Sequence, residues 1–272
     1  MTYKDTYKKQ FNFNSHFVFV DDQGGDGIPV IFQHGLGGDS KQTKNIFPID
    51  TCWRLITMEC QGHGKTPLQN KNKISINAFA EDLNRLIEHY NAPLVIGGIS
   101  MGAAISLKVA VEYPENVLAL ILVRPAWISD SKPKNLSISR LVAQLLKTNS
   151  PSSAYAKFLQ NKQILNLKQD SPDNFLTFKS MFFRKDYKNF ADILGTISAD
   201  GPNVTEKQIM KITAPTLILA TEKDIIHPIN YAYSLKNMIK DSSFTKITSK
   251  SDNTSNYVEE TKNSIKLFLN KL

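Results

Sequence analysis

The sequence contains little cysteine and no long apolar run, and both absences restrict the kinds of protein it can be. Its 272 residues include two cysteines, Cys52 and Cys60. Their spacing matches neither a disulfide framework nor a zinc site, so we expect no metal and a reducing, cytoplasmic location. No stretch approaches the roughly 20 apolar residues that cross a bilayer. The first ten residues carry no apolar stretch of the secretory kind, and we predict no membrane partner.

The sequence also lacks a concentrated basic stretch, although its formal net charge is +8. Proteins that bind nucleic acids usually gather Lys and Arg on one face, or in a run with interleaved aromatic residues. The densest basic stretches here, Lys8-Lys9 and Lys71-Asn72-Lys73, are short and lie in polar segments. We interpret the excess charge as a lysine-rich, solvated surface and expect no nucleic-acid partner.

Short apolar segments alternate along the chain with segments of helical periodicity. This alternation is typical of parallel strands joined by crossover helices. The expected strands are Phe17–Val20, Pro29–Gln33, Arg54–Glu59, Leu94–Gly97, Leu118–Val123, Thr216–Ala220 and Phe244–Thr248. The central ones are nearly all apolar, as strands covered on both faces should be. The pattern predicts an α/β fold with a mostly parallel central sheet flanked by helices.

Apolar residues at helical spacing predict the helices that flank this sheet. One helix covers Phe79–Tyr90, with Ser75 or Asn77 available as its N-cap. Another covers Ala103–Val111, and the last runs from about Asn256 to Leu269.

The alternation of strands and helices breaks between Trp127 and Pro215. This stretch has no convincing strand but contains helical segments rich in phenylalanine. We predict a helical cap of about residues 128–214, inserted into a single domain whose core is residues 1–127 and 215–272. The cap would cover the carboxyl edge of the sheet, where open α/β sheets bind ligands. Most of its aromatic side chains should form the cap's own core, and the remainder predict a fairly apolar substrate.

Ser100 lies in the segment Gly98–Gly102, directly after an apolar strand and before a helix. A G-x-S-x-G segment between a strand and a helix is typical of a nucleophilic serine held on a sharp turn. The two glycines allow the turn to be tight. The start of the helix favours the negative charge that develops when such a serine attacks a carbonyl group. The pattern therefore predicts Ser100 as a nucleophile.

Another strand is followed directly by a glycine-rich segment that contains His34, Gly35 and Leu36. Glycines allow backbone N–H groups to face a cavity, and an oxyanion hole needs two such donors. We predict the amides of Leu36 and Met101 as these donors. His34 is expected to be buried at the end of the strand, and we assign it with Gly35 and Trp127 to the substrate pocket.

Asp224 follows the strand Thr216–Ala220 after a short loop. A carboxylate in this position can orient a histidine and stabilise its charged form. We predict Asp224 as the acid of the site. Glu222 and Asp130, each of which also follows a predicted strand, are the alternatives.

These motifs together resemble those of the α/β-hydrolase superfamily, from about Phe17 to the C-terminus. More narrowly, the chain is similar to bacterial serine esterases with the signatures H-G-L-G-G-D and G-G-x-S-M-G-A-A, here His34–Asp39 and Gly97–Ala104. The resemblance implies Ser100 as nucleophile and Asp224 as acid. It also implies the oxyanion donors already named and a helical cap at the position of the insertion.

The chain departs from this family pattern in its histidines. The family's histidine follows the last strand, here near Ser251 to Thr254, but the sequence has none after His227. A serine is a poor nucleophile without a base, and three explanations remain open. His227 serves as the base, another group or a bound water does, or the triad is incomplete. His16 and His89 are expected at the surface, and His63 is expected to bond to backbone.

The leading hypothesis is hydrolysis of a carboxylic ester or lactone through an acyl-enzyme intermediate, with a small molecule as substrate. No organic cofactor is implied, and a monomer or a homodimer is expected. The alternative is a catalytically impaired hydrolase fold that binds a small molecule. A transferase or a cofactor-free peroxidase using the same serine is a further hypothesis.

Overall fold

A computed structural model of the chain describes residues 7–13, 16–50 and 52–272. Its strands are β1 Tyr7–Phe13, β2 His16–Asp22, β3 Ile28–Gln33, β4 Trp53–Glu59, β5 Leu94–Ile99, β6 Val117–Val123, β7 Thr216–Ala220 and β8 Ser242–Lys246. They form one sheet in the order β1-β2-β4-β3-β5-β6-β7-β8. β2 is antiparallel to both of its neighbours, and from β4 to β8 all adjacent strands are parallel. The predicted α/β fold is confirmed.

Helices connect these strands and cover the sheet. They are α1 Ser40–Ile46, α2 Ile76–Glu88, α3 Met101–Glu112, α4 Ser137–Thr148, α5 Pro151–Leu159, α6 Lys162–Asp170, α7 Pro172–Phe182, α8 Tyr187–Ala199, α9 Glu206–Ile209, α10 Ile229–Met238 and α11 Thr254–Leu269. Ser75, rather than Asn77, caps α2 by accepting a hydrogen bond from the backbone of Ala78. Within the described ranges, no helix has the length and apolarity needed to cross a membrane.

Alternate residues of the central strands pack into two hydrophobic cores, one on each face of the sheet. In β3, Val30 and Phe32 pack with residues of α1 and α11, whereas Ile31 packs with residues of α2 and α3. Successive side chains of a strand point to opposite faces. A strand covered on both faces therefore needs apolar side chains on both, as Val30, Ile31 and Phe32 of β3 show.

The two edges of the sheet differ from the strands that the sequence predicts. β1 has no predicted counterpart, because this edge strand is mostly polar and pairs only with β2. β8 ends at Lys246, two residues before the expected end at Thr248. The backbone N–H and the hydroxyl of Thr248 donate to the two carboxylate oxygens of Glu260, at 2.6 and 2.7 Å. These bonds take Thr248 out of the sheet.

The expectation that His16 is exposed was wrong. Its ring is buried, and Nε2 lies 2.7 Å from a carboxylate oxygen of Asp82 on α2. The partner lies 66 residues further along the chain, so a polar N-terminal segment gave no sign of it. His89, in contrast, is exposed at the end of α2, as expected.

Helices α4–α9 lie between β6 and β7, and residues 128–214, all of them described, contain no strand. Aromatic rings pack against one another inside these inserted helices. Phe158, which is fully buried, has ring centres of Phe182 and Phe178 at 5.1 and 6.2 Å. Phe175 and Phe190 are also buried, whereas Phe183 is exposed. The phenylalanines thus form mainly a local core.

We expect Phe158→Ala to lower the free energy of unfolding by about 3–5 kcal/mol, because it removes a ring from a close-packed cluster. Phe183→Ala is the matched control, since this side chain is 58% exposed, and it should cost less than about 1 kcal/mol. Urea denaturation followed by circular dichroism measures both. Equal losses for the two variants would contradict this assignment of the core.

Candidate active site

Ser100 lies on a strained turn between β5 and α3. Its φ of 57° is in the left-handed region, which costs a residue with a side chain roughly 1–2 kcal/mol. The backbone amide donates to the carbonyl of Val123 on β6 at 3.0 Å. A Cβ on Gly98 would lie 2.5 Å from the carbonyl carbon of Gly102, and one on Gly102 would collide with the Gln33 carbonyl oxygen. Only glycine fits at both positions, as the motif predicts.

The hydroxyl of Ser100 has an imidazole within hydrogen-bond reach, and that imidazole is His227. Ser100 Oγ lies 2.8 Å from His227 Nε2. The two residues are 127 positions apart in the chain. Of the three explanations left open by the sequence, this distance favours His227 as the base, because the nitrogen is placed to accept the serine proton.

Asp224 holds the other side of the His227 ring. His227 Nδ1 lies 2.9 Å from both carboxylate oxygens, and the backbone amide of His227 donates to Oδ1 at 3.1 Å. A donating Nδ1–H leaves Nε2 free to accept the proton of Ser100. Acid and histidine therefore come from one loop, between β7 and α10, three residues apart.

Burial and charge set the ionisation of this pair. Burial lowers the pKa of His227, and the carboxylate of Asp224 opposes that effect only in part. Burial would by itself raise the pKa of Asp224, but the charge of Arg124 and the contact with His227 outweigh it and hold the pKa well below its ordinary range. At neutral pH the site therefore holds an ionised carboxylate beside an uncharged imidazole.

The loop after β8, where the family's histidine is expected, holds other side chains. Lys250 lies beside the cavity described below, 3.6 Å from a carboxylate oxygen of Asp173 on α7. Ser251 Oγ accepts a hydrogen bond from the backbone amide of Asp173 at 3.2 Å.

The alternative acids Glu222 and Asp130 are both exposed. The structure brings neither of them to Ser100.

The glycine-rich segment after β3 lies against Ser100. A Cβ on Gly35 would be 3.4 Å from Ser100 Cβ, and the amide of Gly35 donates to Gln42 Oε1 at 2.7 Å. The amides of Leu36 and Met101 donate to no acceptor among residues 7–13, 16–50 and 52–272. Two unpaired N–H groups next to a serine are what an oxyanion hole requires.

A cavity of about 110 Å³ opens beside Ser100. Its wall includes Gly35 and Trp127, as expected, together with Leu36 and His227. The insertion between β6 and β7 contributes Leu136, Ser139, Asp173, Asn174, Thr177, Met181 and Leu194. The wall includes none of the described phenylalanines, so the expectation that some phenylalanines of the cap line the pocket was wrong.

His34 does not border the cavity, which corrects its assignment to the substrate pocket. Its ring is fully buried: Nδ1 donates to the Gly35 carbonyl at 2.9 Å, and Nε2 accepts from the amide of Cys60 at 3.1 Å. His63 is also buried and donates from Nδ1 to the carbonyl of Gln61 at 3.0 Å. Both rings bond to backbone groups, as expected of His63, and His34 is buried, as expected.

Sequence reasoning missed two residues that hold the acid loop. Arg124, at the end of β6, contacts Asp224 Oδ2 at 2.6–2.7 Å. Asn174 on α7 is buried, and its Oδ1 accepts the amides of Ile225 and Ile226 at 2.9 and 3.1 Å. A charged residue directly after the apolar strand Val117–Val123 was a usable indication for Arg124. Asn174 gave none.

A family model described as alpha/beta hydrolase fold matches residues 28–257. The chain belongs to this α/β-hydrolase family. Among curated relatives, the magnesium-chelatase 30 kDa subunit of Rhodobacter capsulatus is 31% identical over 97 residues, which are 35% of this α/β-hydrolase and 34% of that subunit. Lipase 3 of Moraxella sp. (strain TA144) is 28% identical over 219 residues, 78% of this chain and 67% of the lipase. The chain thus spans about a third of the first relative and two thirds of the second.

A solved structure with the same fold is the enol-lactonase from Burkholderia xenovorans LB400. The TM-score is 0.71 at 15% identity, and the match covers 96% of this chain and 100% of that one. At this identity the similarity concerns the fold alone. Together with the similarity to Lipase 3, the family membership supports a hydrolase.

We expect the free energy of unfolding to fall as the pH drops below 6.5, the ordinary pKa of histidine. Burial lowers the pKa of His34, His63 and His227 in the folded state, that of His63 to about 3. Between the unfolded and folded values, the unfolded chain binds protons that the folded chain does not, so acid favours unfolding. His63 alone should contribute about 1.4 kcal/mol per pH unit.

Urea unfolding between about pH 7.5 and about pH 5.5 measures this slope. His63→Asn should reduce it, because the variant keeps a donor for the Gln61 carbonyl but removes the titrating ring. His89→Asn, at an exposed position, should leave the slope as in the wild type. An unchanged slope in His63→Asn would contradict the assignment.

Proposed function

We propose that the protein hydrolyses small carboxylic esters or lactones through an acyl-enzyme intermediate on Ser100. The observation that carries this proposal is the 2.8 Å separation between Ser100 Oγ and His227 Nε2, with Asp224 bonded to the other ring nitrogen. A serine, a histidine and a carboxylate in this order form an acyl-transfer triad whatever their positions in the chain.

In the acylation step, Ser100 Oγ attacks the carbonyl carbon while its proton moves to His227 Nε2. The carbonyl oxygen becomes an oxyanion, which accepts hydrogen bonds from the amides of Leu36 and Met101. The carbonyl re-forms as the bond to the alcohol oxygen breaks, and His227 returns the proton to that oxygen. Asp224 stabilises the imidazolium that exists between the two proton transfers. An ester releases its alcohol, whereas the alcohol of a lactone stays tethered to the acyl group.

In the deacylation step, water takes the place of the serine hydroxyl. His227 Nε2 accepts a proton from the water as its oxygen attacks the acyl carbon. The second tetrahedral intermediate then collapses, the bond to Ser100 Oγ breaks, and the serine recovers its proton from His227. The products are the carboxylic acid and the free enzyme.

The size of the cavity suggests a small acyl group. A cavity of about 150 Å³ holds benzene, and the cavity beside Ser100 has about 110 Å³. We propose that the inserted helices act as the cap, with Met181 and Leu194 limiting the length of the acyl chain. The similarity to Lipase 3 is consistent with ester substrates, but this cavity favours short chains over the long chains of fats.

Ser100→Ala should abolish turnover of p-nitrophenyl butyrate, lowering kcat/KM by at least about 10³-fold, because no nucleophile remains. His227→Gln should cause a loss of similar size, since the serine then has no base. His89→Gln is the control, and it should retain wild-type activity because His89 is exposed. A burst of p-nitrophenol equal to the enzyme concentration would report the acyl-enzyme.

Turnover that survives in Ser100→Ala would overturn the proposed nucleophile. Turnover lost in Ser100→Ala but retained in His227→Gln would overturn the proposed base. A wild-type protein that binds esters without turning them over would favour the small-molecule binder instead.

Among p-nitrophenyl esters, kcat/KM should be at least tenfold higher for butyrate than for decanoate. Each methylene that does not fit a pocket costs about 1–3 kcal/mol of transition-state binding free energy. Leu194→Ala should narrow this ratio by enlarging the cavity. Ile193→Ala is the matched control on the same helix, because Ile193 is buried but does not border the cavity. Equal changes in both variants would contradict the chain-length limit.

A further inference from the structure

Arg124 has an unusual place at the end of β6. Its φ is 48°, in the left-handed region, and its amide donates to the carbonyl of Leu219 on β7 at 2.7 Å. A residue with a side chain takes up this conformation at a cost, and such residues cluster at functional sites. The side chain is 8% exposed and borders the cavity beside Ser100. The strained backbone directs a buried guanidinium towards the acid loop.

The guanidinium binds one oxygen of the Asp224 carboxylate with two of its nitrogens. Arg124 Nε and Nη2 lie 2.7 and 2.6 Å from Oδ2. The other oxygen, Oδ1, accepts the backbone amide of His227, and the ring Nδ1 of His227 lies 2.9 Å from both oxygens. Charge-assisted bonds of this length are among the strongest in proteins and fix orientation as well as position. Rotation of the carboxylate away from His227 would break them.

This support matters because Asp224 and His227 share one short loop. Where acid and histidine come from separate loops, each is braced by its own strand. Here a single segment after β7 carries both, and its intervening residues are held by the buried side chain of Asn174. Within that segment the Asp224 carboxylate is bonded by His227 alone, and Arg124 adds bonds from outside it.

We propose that Arg124 is a positioning residue of the triad, which fixes the Asp224 carboxylate against His227 and sets the pH range in which His227 accepts the serine proton. The inference rests on the proposed function and extends it to a residue outside the triad. Arg124 acts through Asp224 and takes no part in bond making.

The charges around the pair come from several elements. Asp173 on α7 lies 3.4 Å from Arg124 Nη2, and Lys250 of the loop before α11 lies 3.6 Å from Asp173. Tyr257 on α11 has its ring centre 5.5 Å from the guanidinium, and burial raises the pKa of its hydroxyl. Tyr257 is therefore uncharged at neutral pH. Arg124 and Lys250 thus face the carboxylates of Asp173 and Asp224, and His227 would add a third positive charge.

The sign of the effect follows from these charges. The carboxylate of Asp224 favours the imidazolium, and the guanidinium opposes it by neutralising that carboxylate. Without Arg124 the imidazolium is more stable, so the pKa of His227 rises. Activity needs uncharged His227, and its loss on acidification should then begin at a higher pH.

The experiment compares Arg124→Met and Arg124→Lys with the wild type, measuring kcat/KM for p-nitrophenyl butyrate against pH. Arg124→Met keeps an apolar side chain of similar length but removes the charge. Arg124→Lys keeps the charge but cannot donate from two fixed nitrogens. Arg140→Met is the matched control: Arg140 is a half-buried arginine whose nitrogens donate to the carbonyls of Ser198 and Pro133, away from the triad.

In Arg124→Met we expect the acid limb of the pH profile, where kcat/KM falls on acidification, to move up by about one pH unit. The plateau of kcat should fall about 10–100-fold, with KM little changed. Arg124→Lys should keep the acid limb of the wild type and recover part of kcat. Arg140→Met should change neither. If Arg124 were only a structural ion pair, its loss would lower stability and reduce activity by the same factor at every pH. An acid limb that does not move in folded Arg124→Met would therefore overturn the proposal.

Thermal unfolding of each variant shows whether it folds. Should Arg124→Met not fold, the test moves to Arg124→Lys in an Asp224→Asn background. A residue that acts through Asp224 should then change kcat much less than it does in the wild type, whereas an equal change would overturn the proposal. Failure of the proposed function looks different, since Ser100→Ala would then retain the turnover of the wild type.

Discussion

A buried carboxylate loses its hydrogen bonds to water and needs other donors in their place. The site of this α/β-hydrolase depends on the donors that surround Asp224. Its two oxygens accept bonds from the backbone and ring of His227 and from the guanidinium of Arg124. Each bond also fixes a neighbour. The imidazole is turned so that Nε2 faces Ser100, and the end of β6 is tied to the loop after β7. Desolvation, usually a cost, here strengthens the contacts that order the site.

The placement of Asp224 and His227 on one loop changes which parts of the sheet edge support the site. The segment after β8 carries no histidine and instead contributes Lys250 to the cavity wall. Bracing comes from elsewhere: Asn174, on an inserted helix, holds the backbone between Asp224 and His227. The inserted helices thus have two effects on the site. They narrow the cavity, and they hold the loop that carries the proposed acid and base.

Local patterns predicted much of this molecule. The central strands needed runs of apolar residues because helices cover both faces of the sheet, and the turn at Ser100 required glycine at positions 98 and 102. The edges were harder, since β1 pairs on one side only and has no apolar pattern. His16 was misjudged for a related reason: its neighbours in the sequence are polar, and its partner Asp82 is distant in the chain.

The sequence by itself determined the α/β architecture and the sharp turn at Ser100, because each depends on residues adjacent in the chain. Tertiary structure alone decided that His227 reaches Ser100 across 127 positions and that Arg124 meets Asp224 across 100. It also decided that the described phenylalanines leave the cavity wall to other side chains. Such contacts depend on where strand ends and inserted helices converge in space, which no spacing along the chain encodes.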